Sequence, residues 1–257
     1  MQREHPMPKP PRGAQPALAG RVVSPAELGA GARDRMFALL DQHFLHVRRD
    51  RFEHDLDSKG WVILLTAHGS DEIQGFSTVR RLTTELDHRP IVAFVSEDTI
   101  VAPASRGSAA LPRLWARVVF SLAAGDRLVG ARAFWLLISS SFRTYRALPI
   151  FFRHYCPCCD IETPHWAARL RDRLGELAFG AAYEPGRGIV RFAEPTPLRP
   201  GVADITPARL RDPHVAFFRS VNPGHAAGDE LTSLAEISEP NLTPAGRRML
   251  GLPRELR

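Results

Sequence analysis

The chain has 257 residues, 44% hydrophobic and 24% charged, with a formal net charge of +6. That size and balance describe an ordinary soluble globular chain able to bury a sizeable core. With no apolar run near the roughly 18 residues a membrane span needs, and with three cysteines clustered at Cys156, Cys158 and Cys159, the sequence excludes a membrane-spanning protein and a disulfide scaffold.

Residues 1–23 are rich in Pro, Gly and Ala without periodicity and read as a disordered leader. No continuous apolar core follows Arg3, Lys9 and Arg12, so no signal peptide is expected. Ser24-Pro25-Ala26-Glu27 has the chemistry of a capping box. Met36, Leu40, Phe44 and Val47 then mark one buried helix face, with Gly29 and Gly31 weakening its first turn. A second short helix is expected around Arg49 to Leu56, with Phe52 and Leu56 on one side.

The period then changes. Trp61–Thr66 and Ile73–Val79 flank the turn residues His68–Glu72 and predict a β-hairpin. Pro90 opens a third strand that runs from Ile91 to Val101, long enough to predict a bulge or bend near Ser96–Thr99. A turn at Arg106-Gly107-Ser108, a helix over Leu111–Ala123 and a buried strand over Ala133–Ser139 follow. Phe142–Phe152 reads as helical, with Pro149 as a start or kink. Thr163-Pro164 caps a helix with apolar positions Trp166, Leu170, Leu174 and Leu177. Beyond about residue 183 prolines and turn signals dominate. One strand is predicted at Gly188–Phe192, and residues 212–230 read as a polar-rich loop. Val215, Phe217, Phe218, Leu231, Leu234 and Ile237 suffice to pack this region on the core.

The richest chemistry lies in Thr99–Trp115. A helix start leaves backbone N–H groups without intrahelical partners and carries the positive end of the dipole. Small residues at 108–110 let a phosphate approach those amides, and Arg106 adds a fixed charge, so the turn reads as a pyrophosphate cradle. Arginines are otherwise spread along the chain, without the aromatic-interleaved basic run of a nucleic-acid binder, so nucleic acid is not an expected partner. His154-Tyr-Cys156-Pro-Cys158-Cys159 crowds its thiols into six residues with no second knuckle, and no metal is expected there. The odd, clustered thiols point to a reducing cytoplasm.

The order helix, helix, hairpin, long strand, phosphate-type turn, helix, strand, helix, together with Val101-Ala-Pro103 and Arg106-Gly-Ser-Ala-Ala-Leu111, resembles the GNAT acyltransferase superfamily over about residues 25–155. Ala109 and Leu111 stand where that family prefers smaller residues. The resemblance implies an α/β (α+β) fold, with a mixed, strongly bent sheet flanked by helices. The acyltransferase core would cover residues 24–160. A helical and irregular extension, residues 161–257, would pack on that core.

It also implies acyl-CoA-dependent transfer of an acetyl or longer acyl group to an amine, by direct attack on the thioester. A backbone N–H among Thr99, Ile100 and Val101 would meet the thioester carbonyl. Arg106, Gly107, Ser108, Ala109 and Ala110 would hold the pyrophosphate, with Ser140 near the thiol arm. Tyr145 would return a proton to the departing thiolate, and Glu97 or Asp98 would take one from the incoming ammonium. Each of these residues has a structural alternative, as a turn, cap or packing residue. Two further alternatives stay open. One is an acyl-carrier-protein-dependent N-acyl amino acid synthase of the same fold; the other is a binding or regulatory protein without catalysis.

Overall fold

The computed structural model of the protein describes residues 18–253. In chain order its elements are β1 (Leu18–Val23), α1 (Ala30–His43), α2 (Arg49–Asp57), β2 (Trp61–Ala67), β3 (Ile73–Leu86), β4 (Arg89–Val101) and α3 (Ala110–Leu128). There follow β5 (Arg132–Ser139), α4 (Phe142–Tyr145), α5 (Ala147–Phe151), β6 (Tyr155–Cys156), α6 (His165–Phe179), β7 (Tyr183–Glu184), β8 (Ile189–Val190), α7 (Pro213–Val221), β9 (Glu230–Glu236) and α8 (Pro244–Leu250). All the strands join one sheet, in the order β1-β2-β3-β4-β5-β9-β8-β7, with β6 also paired to β9. Neighbours are antiparallel except β4 and β5, which run parallel because α3 carries the chain back across the sheet.

Side-chain alternation gives the sheet two apolar faces. Val92, Phe94, Trp135 and Leu137 pack under Trp115 and Val119 of α3. On the other face Leu64, Phe76 and Ile100 meet Met36 and Leu39 of α1, while Ile91, Ala93 and Leu136 meet Leu170 and Leu174 of α6. Among the described residues no helix is long and apolar enough to cross a membrane.

Two features of β4 break the regularity of the sheet. Val79 pairs with Ser96 and Ser77 with Thr99, so Glu97 and Asp98 together oppose Thr78. This is the predicted bulge. It reverses the alternation, so that Ile100 falls on the same face as Ile91, Ala93 and Val95. Secondly, the β4–β5 pairing stops at Ser96 and Leu137. Beyond it the strands part.

Several expectations need correction. Leu18–Val23 is not part of a leader but an edge strand paired residue by residue with β2, from Leu18 opposite Ala67 to Val23 opposite Val62; the rest of that expectation, 1–17, lies outside the described residues. The capping box at Ser24 and Glu27 forms, but on a 3-10 turn, and α1 starts afresh after Gly29. Trp166 and Leu177 of α6 face solvent, because the helix seats Ala167, Leu170 and Leu174 instead. The segment 212–230 is no loop: it holds α7, capped by the Asp212 side chain on the His214 N–H, and leads into β9. Residues 161–253 also do more than pack on a finished core, since β9 sits against β5 inside the sheet.

Candidate functional site

Where β4 and β5 part, a cavity opens on each side. The first, about 410 Å³, lies on the α3 side. Its walls are largely apolar, with Leu111, Trp115, Trp135, Phe152 and Met249, and its polar rim includes Arg106, Gly107 and Ser108. The indole N–H groups of Trp115 and Trp135 both donate to Ser96 Oγ, at 2.7 and 3.0 Å, which fixes the floor just where strand pairing ends. The second cavity, about 390 Å³, lies on the α2 side and is lined by Asp55, Arg80, Glu97, Asp98 and Glu230 among the apolar Phe52, Phe179 and Phe192. Phe44, Thr99, Ser140 and Thr144 line both cavities and so mark their junction.

The turn before α3 has the chemistry predicted from the sequence. Gly107 takes φ +87°, a left-handed conformation that other residues resist, and this turns the chain into the helix. The amides of Arg106 and Ser108 bond back to Pro103 and Ser105, and that of Ala110 bonds to Ser108 Oγ. Ser108 thus caps the helix start itself. The N–H groups of Gly107, Ala109 and Leu111 make no such bond among the described residues. Leu111 is 3% exposed, belongs to the core under α3 and forms part of the first cavity's wall. Arg106 is 2.9 Å from His43 Nε2, and His43 Nδ1 is 2.7 Å from Leu39 O. An arginine only donates, so Nε2 accepts and the proton sits on Nδ1; buried His43 is a neutral, oriented prop for Arg106.

At Thr99–Val101 the backbone itself faces the gap. Ala102 N–H bonds to Gln74 O of the preceding strand's chain. Alternation along an antiparallel pair then turns the amides of Thr99 and Val101 the other way, into the space between β4 and β5. Thr99 Oγ1 is held 2.8 Å from Ser77 Oγ.

The second cavity brings the carboxylates of Asp55, Glu97, Asp98 and Glu230 together with the guanidinium groups of Arg48, Arg51 and Arg80. Lys59, almost wholly buried, pairs with Glu97 and, at 2.8 Å, with Asp55; Arg80 pairs with Glu97 at 2.7 Å. Burial opposes the charge on Lys59, but Glu97 and Asp55 outweigh it and hold the ammonium above its ordinary range. Asp98 is pushed up to about 7 by burial and by the neighbouring Asp55 and Glu97, against the pull of Lys59. Glu230, across the cavity on β9, is pushed up to about 8 by burial and then by Asp98, Glu97 and Asp55. Carboxyls in this range exchange protons near neutrality, which suits general base work.

Of the residues singled out from sequence, Glu97 and Asp98 meet in the second cavity, Arg106, Gly107 and Ser108 lie in the first, and Thr99 and Ser140 sit at the junction. Ile100 and Val101 also touch the first cavity, and Ala109 and Ala110 continue its rim as the start of α3. Tyr145 is not brought to either. It is fully buried against Phe217, Phe218 and Tyr155, its hydroxyl donates to Pro157 O at 2.9 Å, and burial raises its pKa steeply. The physical reason is that α4 ends after one turn and aims this side chain at α7 rather than the gap. Tyr145→Phe is expected to cost about 1 kcal/mol of stability, the worth of one neutral hydrogen bond, with unchanged turnover; thermal melts and initial rates check it, and a collapse of kcat would return the hydroxyl to the chemistry. His43, Thr144, Arg143, Lys59 and Glu230 carry no sequence signal for the site. They arrive through tertiary packing, and Glu230 is hidden in a stretch that reads as loop.

The mixed sheet flanked by helices agrees with the fold class that the sequence resemblance implied. No family model matches the chain, and no curated protein does. Solved structures similar to it include a conserved protein of unknown function from Enterococcus faecalis described as a probable N-acyltransferase, 16% identical, with a TM-score of 0.39 over 53% of this chain and 33% of that one. The chain therefore spans a third of that protein's length. A protein from Desulfovibrio desulfuricans described as belonging to the GNAT acetyltransferases is 13% identical, with a TM-score of 0.38 over 86% of this chain and 100% of that one. Glucosamine-6-phosphate N-acetyltransferase from Arabidopsis thaliana is 18% identical, with a TM-score of 0.32 over 47% of this chain and 81% of that one. Scores this low assign neither family membership nor an activity.

Proposed function

We propose that the protein transfers an acyl group from a CoA thioester to an amine. The observation that carries this reading is the pair of cavities, one largely apolar and the other holding a cluster of paired charges, that meet at Thr99, Ser140 and Thr144. The donor's arm would lie in the first cavity, its phosphates on the free amides of Gly107, Ala109 and Leu111 beside Arg106. The amine would enter the second. Its ammonium would yield a proton to Asp98, with Glu97 paired to Lys59 and Arg80 and Glu230 as a second acceptor nearby.

The neutral nitrogen would then attack the thioester carbonyl at the junction, where holding both reactants together replaces a bimolecular encounter. Negative charge on the carbonyl oxygen would meet the amides of Thr99 or Val101. Collapse of the intermediate expels the thiolate, and the second proton that the nitrogen gives up as the amide forms would pass to the thiolate through water or a junction hydroxyl rather than through Tyr145. The Thr144 and Ser140 hydroxyls are the side chains nearest that role.

Calorimetric titration of the purified protein with CoA and acetyl-CoA, followed by turnover across a panel of primary amines, tests the reading. Binding of the thioester with amine-dependent release of CoA is expected. Failure to bind CoA or acyl-CoA would overturn it. Binding without turnover on any amine would favour a ligand-binding protein instead.

A further inference from the structure

Three arginines from separate parts of the chain lie at or beside the first cavity: Arg106 and Arg143 line it, and Arg209 shares the Phe142 ring with Arg143. Arg106 lies in the turn before α3, Arg143 on α4, and Arg209 in a 3-10 turn ahead of α7. Arg143 and Arg209 both stack on the Phe142 ring, their guanidinium carbons 5.9 and 5.1 Å from its centroid. The neighbouring Arg146 is spoken for, paired with Asp212 at 3.2 Å. Arg143 and Arg209, by contrast, have no carboxylate partner among the described residues. Guanidinium groups gathered in this way repel one another. The pKa of Arg143 is lowered by burial and by the charges of Arg209 and Arg106. A fold that holds cations together against their repulsion gains when a multiply charged anion sits among them.

We infer that Arg143 and Arg209 complete, with Arg106, a polyanion site that grips the phosphates of a nucleotide donor. The inference rests on the proposed thioester donor and adds two binding residues to it, one of them from the C-terminal region. It also fixes the kind of donor. A free nucleotide with several phosphates fills such a site better than a phosphopantetheine with a single phosphate ester. Planar guanidinium groups from three elements would each meet a phosphate oxygen pair, a geometry lysine would not supply.

The test compares CoA with pantetheine, which has the same thiol arm and no phosphate, on the full chain and on Arg143→Gln and Arg209→Gln. Both residues are exposed, and glutamine keeps much of each side chain's length, so neither substitution removes a core residue. Each variant is expected to bind CoA about tenfold more weakly, the worth of one charge-assisted contact, and to lose less affinity as salt is raised. Pantetheine affinity should stay at the wild-type value. Unchanged CoA affinity in both variants would overturn the inference while leaving the donor reading intact. So would an equal loss for pantetheine, which would mark a general structural effect. A wild-type protein that binds neither CoA nor acyl-CoA overturns the donor reading and this site with it; tighter binding of an acylated carrier protein than of acyl-CoA would assign the arginines to that acidic partner and likewise overturn it.

Discussion

Replacing Asp98 with asparagine is expected to lower kcat by about a hundredfold to ten-thousandfold, the range over which a positioned general base contributes, with donor affinity unchanged. The asparagine has the same shape and cannot take a proton. Because Asp98 is pushed up to about 7, the wild-type rate should climb with pH through that region and level off above it. In Asp98→Asn that rise should vanish.

The same substitution reports on stability, with a definite sign. Both Asp98, at about 7, and Glu230, at about 8, titrate above their ordinary values of 3.8 and 4.5. The folded protein therefore binds more protons than the unfolded chain between roughly pH 4 and 8, and stability falls as pH rises through that window. Asp98→Asn removes part of the penalty. Urea unfolding at pH 5 and at pH 8 should show a smaller drop in the variant. A variant with the wild-type pH slope and wild-type kcat would remove Asp98 from the site.

Lys59→Met should be the most damaging single change to stability near the site, costing about 3–5 kcal/mol as expected for removing one partner of a buried ion pair. The Lys59 side chain is 1% exposed and lies between Glu97 and Asp55. Methionine fills a similar volume, so the loss reports charge rather than a hole. Lys59 also pulls the Asp98 and Glu230 carboxyls down. Without it the pH–rate rise should move to higher pH. Denaturant melts and the pH profile together check this; a stable variant with an unshifted profile would mean that Arg80 alone compensates Glu97.

Much of this architecture is legible in the sequence because its signals are local. A strand too long for its neighbours announces the bulge at Glu97 and Asp98, and small residues after Arg106 announce the turn. What escapes depends on contacts distant in sequence. The strand β9 carries Thr232 and Ser233 fully buried among its leucines, so its inward positions lack the apolar mark by which strands are read. The order of elements alone puts Tyr145 in the chemistry. Its direction, however, is set by the break between α4 and α5 and by Phe217 and Phe218 some seventy residues later. The leucine at 111, a departure from the expected pattern, is a buried member of the core under α3, which the turn's own residues do not reveal.

The position of β9 bears on how the molecule is made. Synthesis proceeds from the N-terminus, so β1 to β5 emerge long before residues 230–236 exist to lie beside β5. Until then β5 has an open edge, with Phe134, Leu136 and Ile138 along a strand that has no charged residue between Ala133 and Ser139. Such an edge invites pairing with another chain. The second cavity is equally unfinished, since Glu230 is delivered by that same strand. Closing the sheet and completing the second cavity are thus one late event, and a nascent chain stalled before residue 230 would carry an open apolar strand edge.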